Sequence, residues 1–173
     1  MIHPEKFKGK YRISSTRLIG RDYGLPGRYF ITICTKYRAP WFGVIRHGIM
    51  GLSDAGCMVH DYWNQIPIHY PHVSIDSFIV MPDHIHGIIR IHGQVETPYY
   101  GVSTGQRMDW KPGTLGVIIH QFKRACTKYI RQSGMHDFTW QPRFHDRIIR
   151  NDHAYERISA YIVNNPRNSG GGI

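Results

Sequence analysis

The sequence predicts an α+β protein in which an antiparallel sheet carries helices on one face. Runs rich in β-branched and aromatic residues alternate with amphipathic stretches in the order strand, helix, strand, strand, helix, strand. Met81, Pro82 and Asp83 have the composition of a turn between two of these runs, which predicts an antiparallel hairpin. The order is the split βαβ pattern of a ferredoxin-like, or RRM-like, sheet. One further helix is predicted after the last strand.

The composition indicates one basic domain. The chain has 173 residues, enough for a single domain with its own core. Its 22 Lys and Arg against 12 Asp and Glu give a formal charge of +10, so a polyanion is the first partner to consider. Eleven Tyr and four Trp favour nucleic acid, because aromatic faces stack on unpaired bases. A generic basic surface is the alternative. Residues 1–27 predict a basic N-terminal arm, either solvated or lying along phosphates.

Other classes of protein fit the sequence poorly. The three cysteines, Cys34, Cys57 and Cys126, are far apart and form no CxxC pair, so neither a zinc finger nor a disulfide framework is expected. No apolar stretch is long enough to cross a bilayer, and the N-terminus has no signal-peptide core. We therefore expect a cytoplasmic protein with no membrane partner.

The first part of the chain predicts one strand and one helix. Residues 28–35 are β-branched and aromatic and form the first predicted strand. Residues 41–51 are Gly-rich and predict a loop or a minor hairpin. Ser53 is a suitable N-cap for a helix that runs to about Ile66 and ends at Pro67. The apolar stripe of this helix predicts core contacts by Ala55, Met58, Val59, Tyr62, Trp63 and Ile66.

The predicted hairpin pairs residues 73–80 with residues 84–91 and has two histidines in its second strand. Side chains at i and i+2 of a strand point to the same face, so His84 and His86 can meet one ion. In the ferredoxin-like topology this strand is central, and its histidine face is open to a ligand. Arg90 lies on that face and is a predicted DNA contact. The opposite face is apolar and suits packing against helices: Ile85, Gly87, Ile89 and Ile91.

The second predicted helix is basic on its outer side. It follows a long excursion, residues 93–113, which is rich in Gly, Pro, Ser and Thr and shows no periodicity. The helix spans about residues 114–131, with this predicted inward face: Leu115, Ile118, Ile119, Phe122, Cys126 and Tyr129. Its basic stripe consists of Lys123, Arg124, Lys128 and Arg131. We expect this stripe to contact phosphates, although a solvated face would look similar.

The last part of the chain predicts a strand near residues 144–149 and a final helix. Asn151 or Asp152 caps this helix, which we expect to end before Pro166. Residues 167–173 then form a flexible tail.

The final helix carries a candidate nucleophile. Tyr161 and Asn165 are four residues apart and share one face of the helix. If that face packs over the open sheet, Asn165 completes a His, His, Asn set around a divalent ion, with Tyr161 beside it. Tyr155 is the competing nucleophile, but Ser159 occupies its i+4 position and is a poorer metal ligand.

This arrangement suits one reaction in particular. A bound Mg²⁺ or Mn²⁺ polarises a phosphodiester while an aligned tyrosine hydroxyl attacks the phosphorus. The product is a covalent phosphotyrosine and a free DNA hydroxyl, and another strand's hydroxyl can reverse the step without ATP. The ligand set does not define the metal, because imidazole also suits Zn, Ni and Cu.

Three sequence blocks together resemble the single-tyrosine HUH transposases of bacteria, in particular the REP-associated tyrosine transposases. The blocks are VSIDSFIVMPDHIHGIIRI, GVIIHQFKRACTKYIR and WQPRFHDRIIRNDHAYERISAYIVNNP. The resemblance runs from about residue 29 to residue 166 and implies an HUH catalytic domain over residues 28–166. It implies that His84, His86 and Asn165 bind Mg²⁺ or Mn²⁺ and that Tyr161 is the nucleophile.

The resemblance also implies a function. Members cleave single-stranded DNA near an imperfect hairpin through a 5′-phosphotyrosine intermediate, and they act as monomers or homodimers. A non-cleaving or decayed protein that binds structured single strands on an RRM-like sheet is the alternative. Initiation of rolling-circle replication uses similar chemistry but normally involves additional domains.

Overall fold

The computed structural model describes residues 25–93 and 113–169. Most of the predicted arm (1–24), most of the predicted excursion (94–112) and the end of the predicted tail (170–173) lie outside these ranges. The described residues form, in chain order, β1 (Gly27–Cys34), β2 (Gly43–Arg46), β3 (Ile49–Leu52), α1 (Asp54–Asn64), α2 (Ile66–His69), β4 (Val73–Met81), β5 (His84–Ile91), α3 (Leu115–Gln132), β6 (His145–Ile149) and α4 (Asp152–Ser169).

The main sheet confirms the ferredoxin-like prediction. Within the described ranges it has four strands in the order β4-β5-β1-β6, and each neighbouring pair is antiparallel. β5 is therefore central, as predicted. The register between β1 and β5 sets Thr32 opposite His86 and Cys34 opposite His84. β2 and β3 pair with each other and form the minor hairpin that was one of two outcomes predicted for residues 41–51.

The two faces of the sheet bury different side chains. α1 and α3 cover the core face, where the larger apolar cluster includes Ile31, Trp63, Ile89 and Phe122. The opposite face, the histidine face, carries His84 and His86 and is crossed by α4. A smaller apolar cluster holds α4 there: Ile88, Ile149, Ile158 and Ile162.

Gly87 allows the largest buried side chain to reach the sheet. It lies on the core face of β5, where an added Cβ would overlap the indole ring of Trp63. Trp63 is fully buried and packs against Phe78 and Phe122. The glycine is therefore required for close packing of α1 against the sheet.

The end of the first helix differs from the prediction. The cap is confirmed, since the Ser53 hydroxyl accepts a hydrogen bond from the Gly56 amide at 3.1 Å. Pro67, however, does not end helical structure; it lies in the first turn of the short helix α2. Proline is tolerated there because the first amides of a helix have no intrahelical acceptor.

One predicted core position on α3 is wrong. Tyr129 is 43% exposed, and Ile130 is buried in its place. The stripe continues four residues beyond Cys126 to Ile130, while the Tyr129 ring stacks on Tyr62 of α1 at 5.3 Å between centroids. The aromatic ring therefore lies at the rim of the helix pair.

The prediction that the last helix ends before Pro166 is also wrong. α4 continues through Pro166 to Ser169, so residues 167–169 of the predicted flexible tail are helical. Proline disfavours helix at the preceding residue and removes one intrahelical hydrogen bond. Here Asn165 and Pro166 are both buried, and this tertiary packing outweighs the local preference.

The described residues contain neither a disulfide nor a membrane-spanning helix. Cys34, Cys57 and Cys126 are free thiols, as expected. None of the helices in the described ranges is both long and apolar enough to span a membrane.

Candidate active site

β5 brings the two predicted histidines together on the histidine face. The Nε2 atoms of His84 and His86 lie 3.1 Å apart. The rings are 9% and 7% exposed, so little water competes for these nitrogens. Two converging imidazole nitrogens are suitable donors for a divalent cation.

The outer ring nitrogens are held by neighbouring side chains. Nδ1 of His84 lies 2.6 Å from Oδ1 of Asp83, and Nδ1 of His86 lies 2.9 Å from Oγ1 of Thr32. Because a carboxylate can only accept, the Asp83 contact puts the His84 proton on Nδ1 and leaves the Nε2 lone pair free. Arg38 in turn donates from Nε to Oδ2 of Asp83 at 2.7 Å.

Both histidines are biased toward the neutral form. Burial lowers the pKa of His86 to about 4, and the neighbouring His84 adds to the effect. Burial also lowers the pKa of His84, although the hydrogen bond to Asp83 opposes this shift. Neutral imidazole is the protonation state that metal ligation requires.

α4 carries Tyr161 to the same place. The Tyr161 hydroxyl lies 3.3 Å from Nε2 of His86, and the side chain is 47% exposed. The Phe30 ring stacks on His86 at 5.3 Å between centroids and meets the Tyr161 ring edge-on at 6.2 Å. The hydroxyl is therefore positioned beside the imidazole pair and accessible to a substrate.

Asn165 lies one helical turn after Tyr161 and is 5% exposed. Its role as third metal ligand remains a prediction. Within the described residues, no group of three or more His, Cys, Asp or Glu side chains could hold a metal ion.

The competing tyrosine has a different environment. The Arg28 guanidinium lies 4.7 Å above the Tyr155 ring, and Tyr155 packs against the small apolar cluster. Ser159, its i+4 neighbour, hydrogen-bonds to Ser77 of β4. These contacts give Tyr155 and Ser159 structural roles in holding α4 on the sheet.

The predicted basic stripe divides into two pairs. Lys123 donates from Nζ to the backbone oxygens of Gln141 and Arg143 at 2.7 and 2.9 Å, and burial lowers its pKa to about 8. Arg131 donates from Nε to the Phe138 oxygen at 2.9 Å. The other two members, Arg124 and Lys128, are exposed, as is Arg131.

The predicted DNA contacts lie apart from the histidines. α3 covers the core face, so the whole stripe is in a different layer from the His pair. Arg90 is exposed on the histidine face, but it lies opposite Arg28, toward the other end of the strand from His84.

Several side chains around the site were not predicted. Asp83 was assigned only to the turn, and Thr32, Phe30 and Arg38 only to the first strand or the segment after it. Asp83 could have been found, because an acidic residue next to a candidate metal-binding histidine is a common orienting partner. Thr32 could not, because it is 54 residues from His86 in sequence and depends on the pairing register.

Comparisons with known proteins agree with this fold. No protein-family model matches the chain. An uncharacterised protein of Haemophilus influenzae is 37% identical over 162 residues, covering 91% of this chain and 90% of the relative. A second H. influenzae protein, provisionally named a REP-associated tyrosine transposase, is 27% identical over 146 residues, covering 84% of this chain and 73% of the relative.

A solved structure is similar in fold. It is that of a REP-associated tyrosine transposase bound to a REP hairpin, and it matches with a TM-score of 0.58 at 20% identity over 90% of this chain and 75% of that chain. This chain and the 37% identical H. influenzae protein therefore belong to one family, and the fold of this chain is that of a solved REP-associated tyrosine transposase.

Proposed function

We propose that this protein is a DNA transposase that cleaves and rejoins single-stranded DNA through a 5′-phosphotyrosine on Tyr161. The observation that carries the proposal is the convergence of three groups. Nε2 of His84 and Nε2 of His86 lie 3.1 Å apart, and the Tyr161 hydroxyl lies 3.3 Å from Nε2 of His86. A nucleophile beside a pair of metal-competent imidazoles is the arrangement that metal-assisted phosphodiester cleavage requires.

His84, His86 and Asn165 are the residues that would hold a divalent ion, Mg²⁺ or Mn²⁺. The donor set fits, since the two imidazoles are oriented through Asp83 and Thr32 and an amide can supply an oxygen. When bound, the ion would polarise the scissile phosphodiester and offset the charge that develops on its oxygens.

The covalent step is an exchange of ester bonds. The Tyr161 oxygen forms a bond to the phosphorus as the bond from phosphorus to the 3′ oxygen breaks. The tyrosine loses one proton and the leaving oxygen gains one, so the products are a 5′-phosphotyrosine and a free 3′-OH. The 3′-OH of another strand then reverses the reaction and releases Tyr161. Ile158 and Ile162 hold the helix so that the hydroxyl stays at His86.

The substrate we propose is single-stranded DNA that contains a hairpin. The formal charge of +10 favours a polyanion. On the edge strand β6, Arg147 and His145 pair with Phe30 and Thr32 and are exposed on the histidine face, beside the site. A relative of similar fold is bound to a REP hairpin. Phosphate contacts by Arg90 and by the stripe Lys123, Arg124, Lys128 and Arg131 remain part of this proposal.

One copy of the chain brings the histidine pair and Tyr161 together. Tyr161 reaches the histidine pair of its own chain, because α4 packs on its own sheet through Ile158 and Ile162. This geometry requires no exchange of helices between subunits, and it is compatible with a monomer or a homodimer.

The alternative is a protein that binds structured single strands without cutting them. It is favoured by the separation between the exposed cations Arg124 and Lys128 on α3 and the histidine face. DNA bound only along α3 would not reach Tyr161.

The test is covalent attachment of DNA. Purified protein is incubated with labelled, hairpin-bearing single-stranded DNA from repeats that flank its gene, with Mn²⁺ or with EDTA, and resolved by denaturing electrophoresis. We expect a Mn²⁺-dependent adduct in the wild-type protein and in the matched control Tyr155→Phe. Tyr161→Phe should lose the adduct while retaining DNA binding and thermal stability.

Two results would contradict the proposal. An adduct that persists in Tyr161→Phe would exclude Tyr161 as the nucleophile. Tight binding without any adduct, unchanged by EDTA, would contradict cleavage and support the non-cleaving alternative.

A further inference from the structure

Tyr37 is an aromatic residue that the proposed reaction leaves unused. It follows β1 in a short 3₁₀ turn, Lys36–Arg38, and its side chain is 85% exposed. The exposed apolar and aromatic side chains of the described ranges otherwise reach at most 74%, at Ile68. A single exposed aromatic side chain is common on protein surfaces, so a binding role for Tyr37 depends on its backbone conformation and its neighbours.

The backbone that presents Tyr37 has an uncommon conformation. Tyr37 and Arg38 both have φ of +58°, in the left-handed region that residues other than Gly, Asn and Asp seldom adopt. Thr35 supports the turn, since its hydroxyl lies within hydrogen-bonding distance of the backbone oxygens of Ala39 and Asp83. Such strained residues cluster at functional sites, where the surrounding contacts maintain them.

The same turn is tied to the candidate active site. Arg38 reaches back to Asp83, which contacts His84, and donates from its Nη1 to Sγ of Cys34 at 2.9 Å. Cys34 is paired with His84 across the sheet. Tyr37 is three positions after Cys34 in the chain, so their Cα atoms are at most about 11 Å apart. The strained turn therefore directs Arg38 into the site and Tyr37 into the solvent beside it.

We propose that Tyr37, with Lys36, forms a stacking platform for an unpaired base next to the phosphodiester that is cut. This inference rests on the proposed function, because it takes single-stranded DNA as the ligand. The Lys36 ammonium lies 5.0 Å from the centre of the Tyr37 ring. A nucleotide presents a flat base joined to an anionic phosphate, and the pair presents an aromatic face beside a cation.

The chain contains a second pair of a lysine and a tyrosine, but this pair is neither in a strained turn nor beside the candidate active site. Lys128 lies 5.1 Å from the centre of the Tyr129 ring, almost the same geometry. Tyr129, however, is in the regular helix α3, stacks on Tyr62 and belongs to the layer that covers the core face. It serves as the control for a cation and tyrosine pair away from the site.

The experiment compares variants in DNA binding measured by fluorescence anisotropy, with EDTA present to prevent the proposed cleavage. The probes are a labelled DNA hairpin with single-stranded flanks, the same hairpin without flanks, and flanked hairpins with one abasic nucleotide at successive flank positions. The variants are Tyr37→Asn, Tyr37→Trp and Tyr129→Ala. Asn suits the left-handed backbone, so loss of binding by Tyr37→Asn would not reflect unfolding.

We expect Tyr37→Asn to weaken binding of the flanked hairpin roughly tenfold and to leave the hairpin without flanks unchanged. In the wild-type protein one abasic position should cause a similar loss, and that position should have no further effect in Tyr37→Asn. Tyr37→Trp and Tyr129→Ala should bind all the probes as the wild-type protein does.

If each abasic position weakened binding by the same factor in Tyr37→Asn as in the wild-type protein, the platform proposal would be wrong. This outcome is distinct from failure of the proposed function. An adduct on Tyr161 without a Tyr37-dependent position would refute the platform alone. A Tyr37-dependent position without any adduct would refute cleavage, and it would support Tyr37 as a base-stacking residue in binding alone.

Discussion

The two faces of the sheet are built for different tasks. The core face buries a large apolar cluster from α1, α3 and three strands, with Trp63 at its centre over Gly87. Among the described residues, the buried apolar cluster of the histidine face has four members, including Ile162, and it lies beside the polar residues His84, His86 and Tyr161. Burial of apolar area is the main stabilising term in folding, so the core face should hold the fold together.

This difference has a consequence for the histidine face. α4 is held by few apolar contacts, which leaves room around His86 and Tyr161 for polar groups and a substrate. The cost is that a small change in packing can move the nucleophile. Stability and activity should therefore be separable by mutation.

The largest difference between effects on stability and effects on activity should come from comparing one substitution on each face. Trp63→Ala should lower the free energy of unfolding by about 3–5 kcal/mol, because it leaves a large cavity in the core cluster. Ile162→Ala should cost about 2 kcal/mol, near the lower end for such substitutions, because its cluster is small. Urea denaturation measures both values.

Adduct formation gives the complementary readout. Folded Trp63→Ala protein should attach to DNA at a near wild-type rate, whereas Ile162→Ala should be slower because Tyr161 is less well positioned. Equal loss of attachment in both variants would show that the two faces are not independent.

A smaller effect is expected from the residue that orients His84. Asp83→Asn should weaken Mn²⁺ binding about 10- to 100-fold with little change in stability, because the carboxylate no longer fixes the imidazole tautomer. Isothermal titration calorimetry with Mn²⁺ measures this directly. Asp61→Asn is the matched control, since Oδ1 of Asp61 lies 3.4 Å from Nδ1 of His60 on α1, away from the site. Unchanged Mn²⁺ affinity in Asp83→Asn would show that Asp83 does not contribute to metal binding.

The smallest expected effect comes from variants that test whether α3 also contacts DNA. Reversing two of the exposed cations, Arg124→Glu with Lys128→Glu, should reduce the slope of log affinity against log salt by about 1.4, the amount expected for two phosphate contacts with single-stranded DNA. Gln121→Glu adds a negative charge to the same helix and should leave the slope nearly unchanged. Equal slopes in all three proteins would mean that DNA binds to the histidine face alone.

Local patterns in the sequence predicted much of this molecule. A period of two puts His84 and His86 on one face of a strand, and a spacing of four puts Tyr161 and Asn165 on one side of a helix. The same periodicities identified the strands, the helices and most of the core. These features depend on the backbone geometry of a single element, which neighbouring residues determine.

The tertiary structure decided what lies opposite those residues. Thr32 reaches His86 because β1 and β5 pair in one register, and a periodic pattern carries no information about a partner strand. Pro166 stays within α4 because it is buried there, and Tyr37 is in a left-handed turn whose neighbours Arg38 and Thr35 both contact Asp83. Each of these depends on contacts between segments distant in sequence, whose free energy exceeds the local preference of the chain.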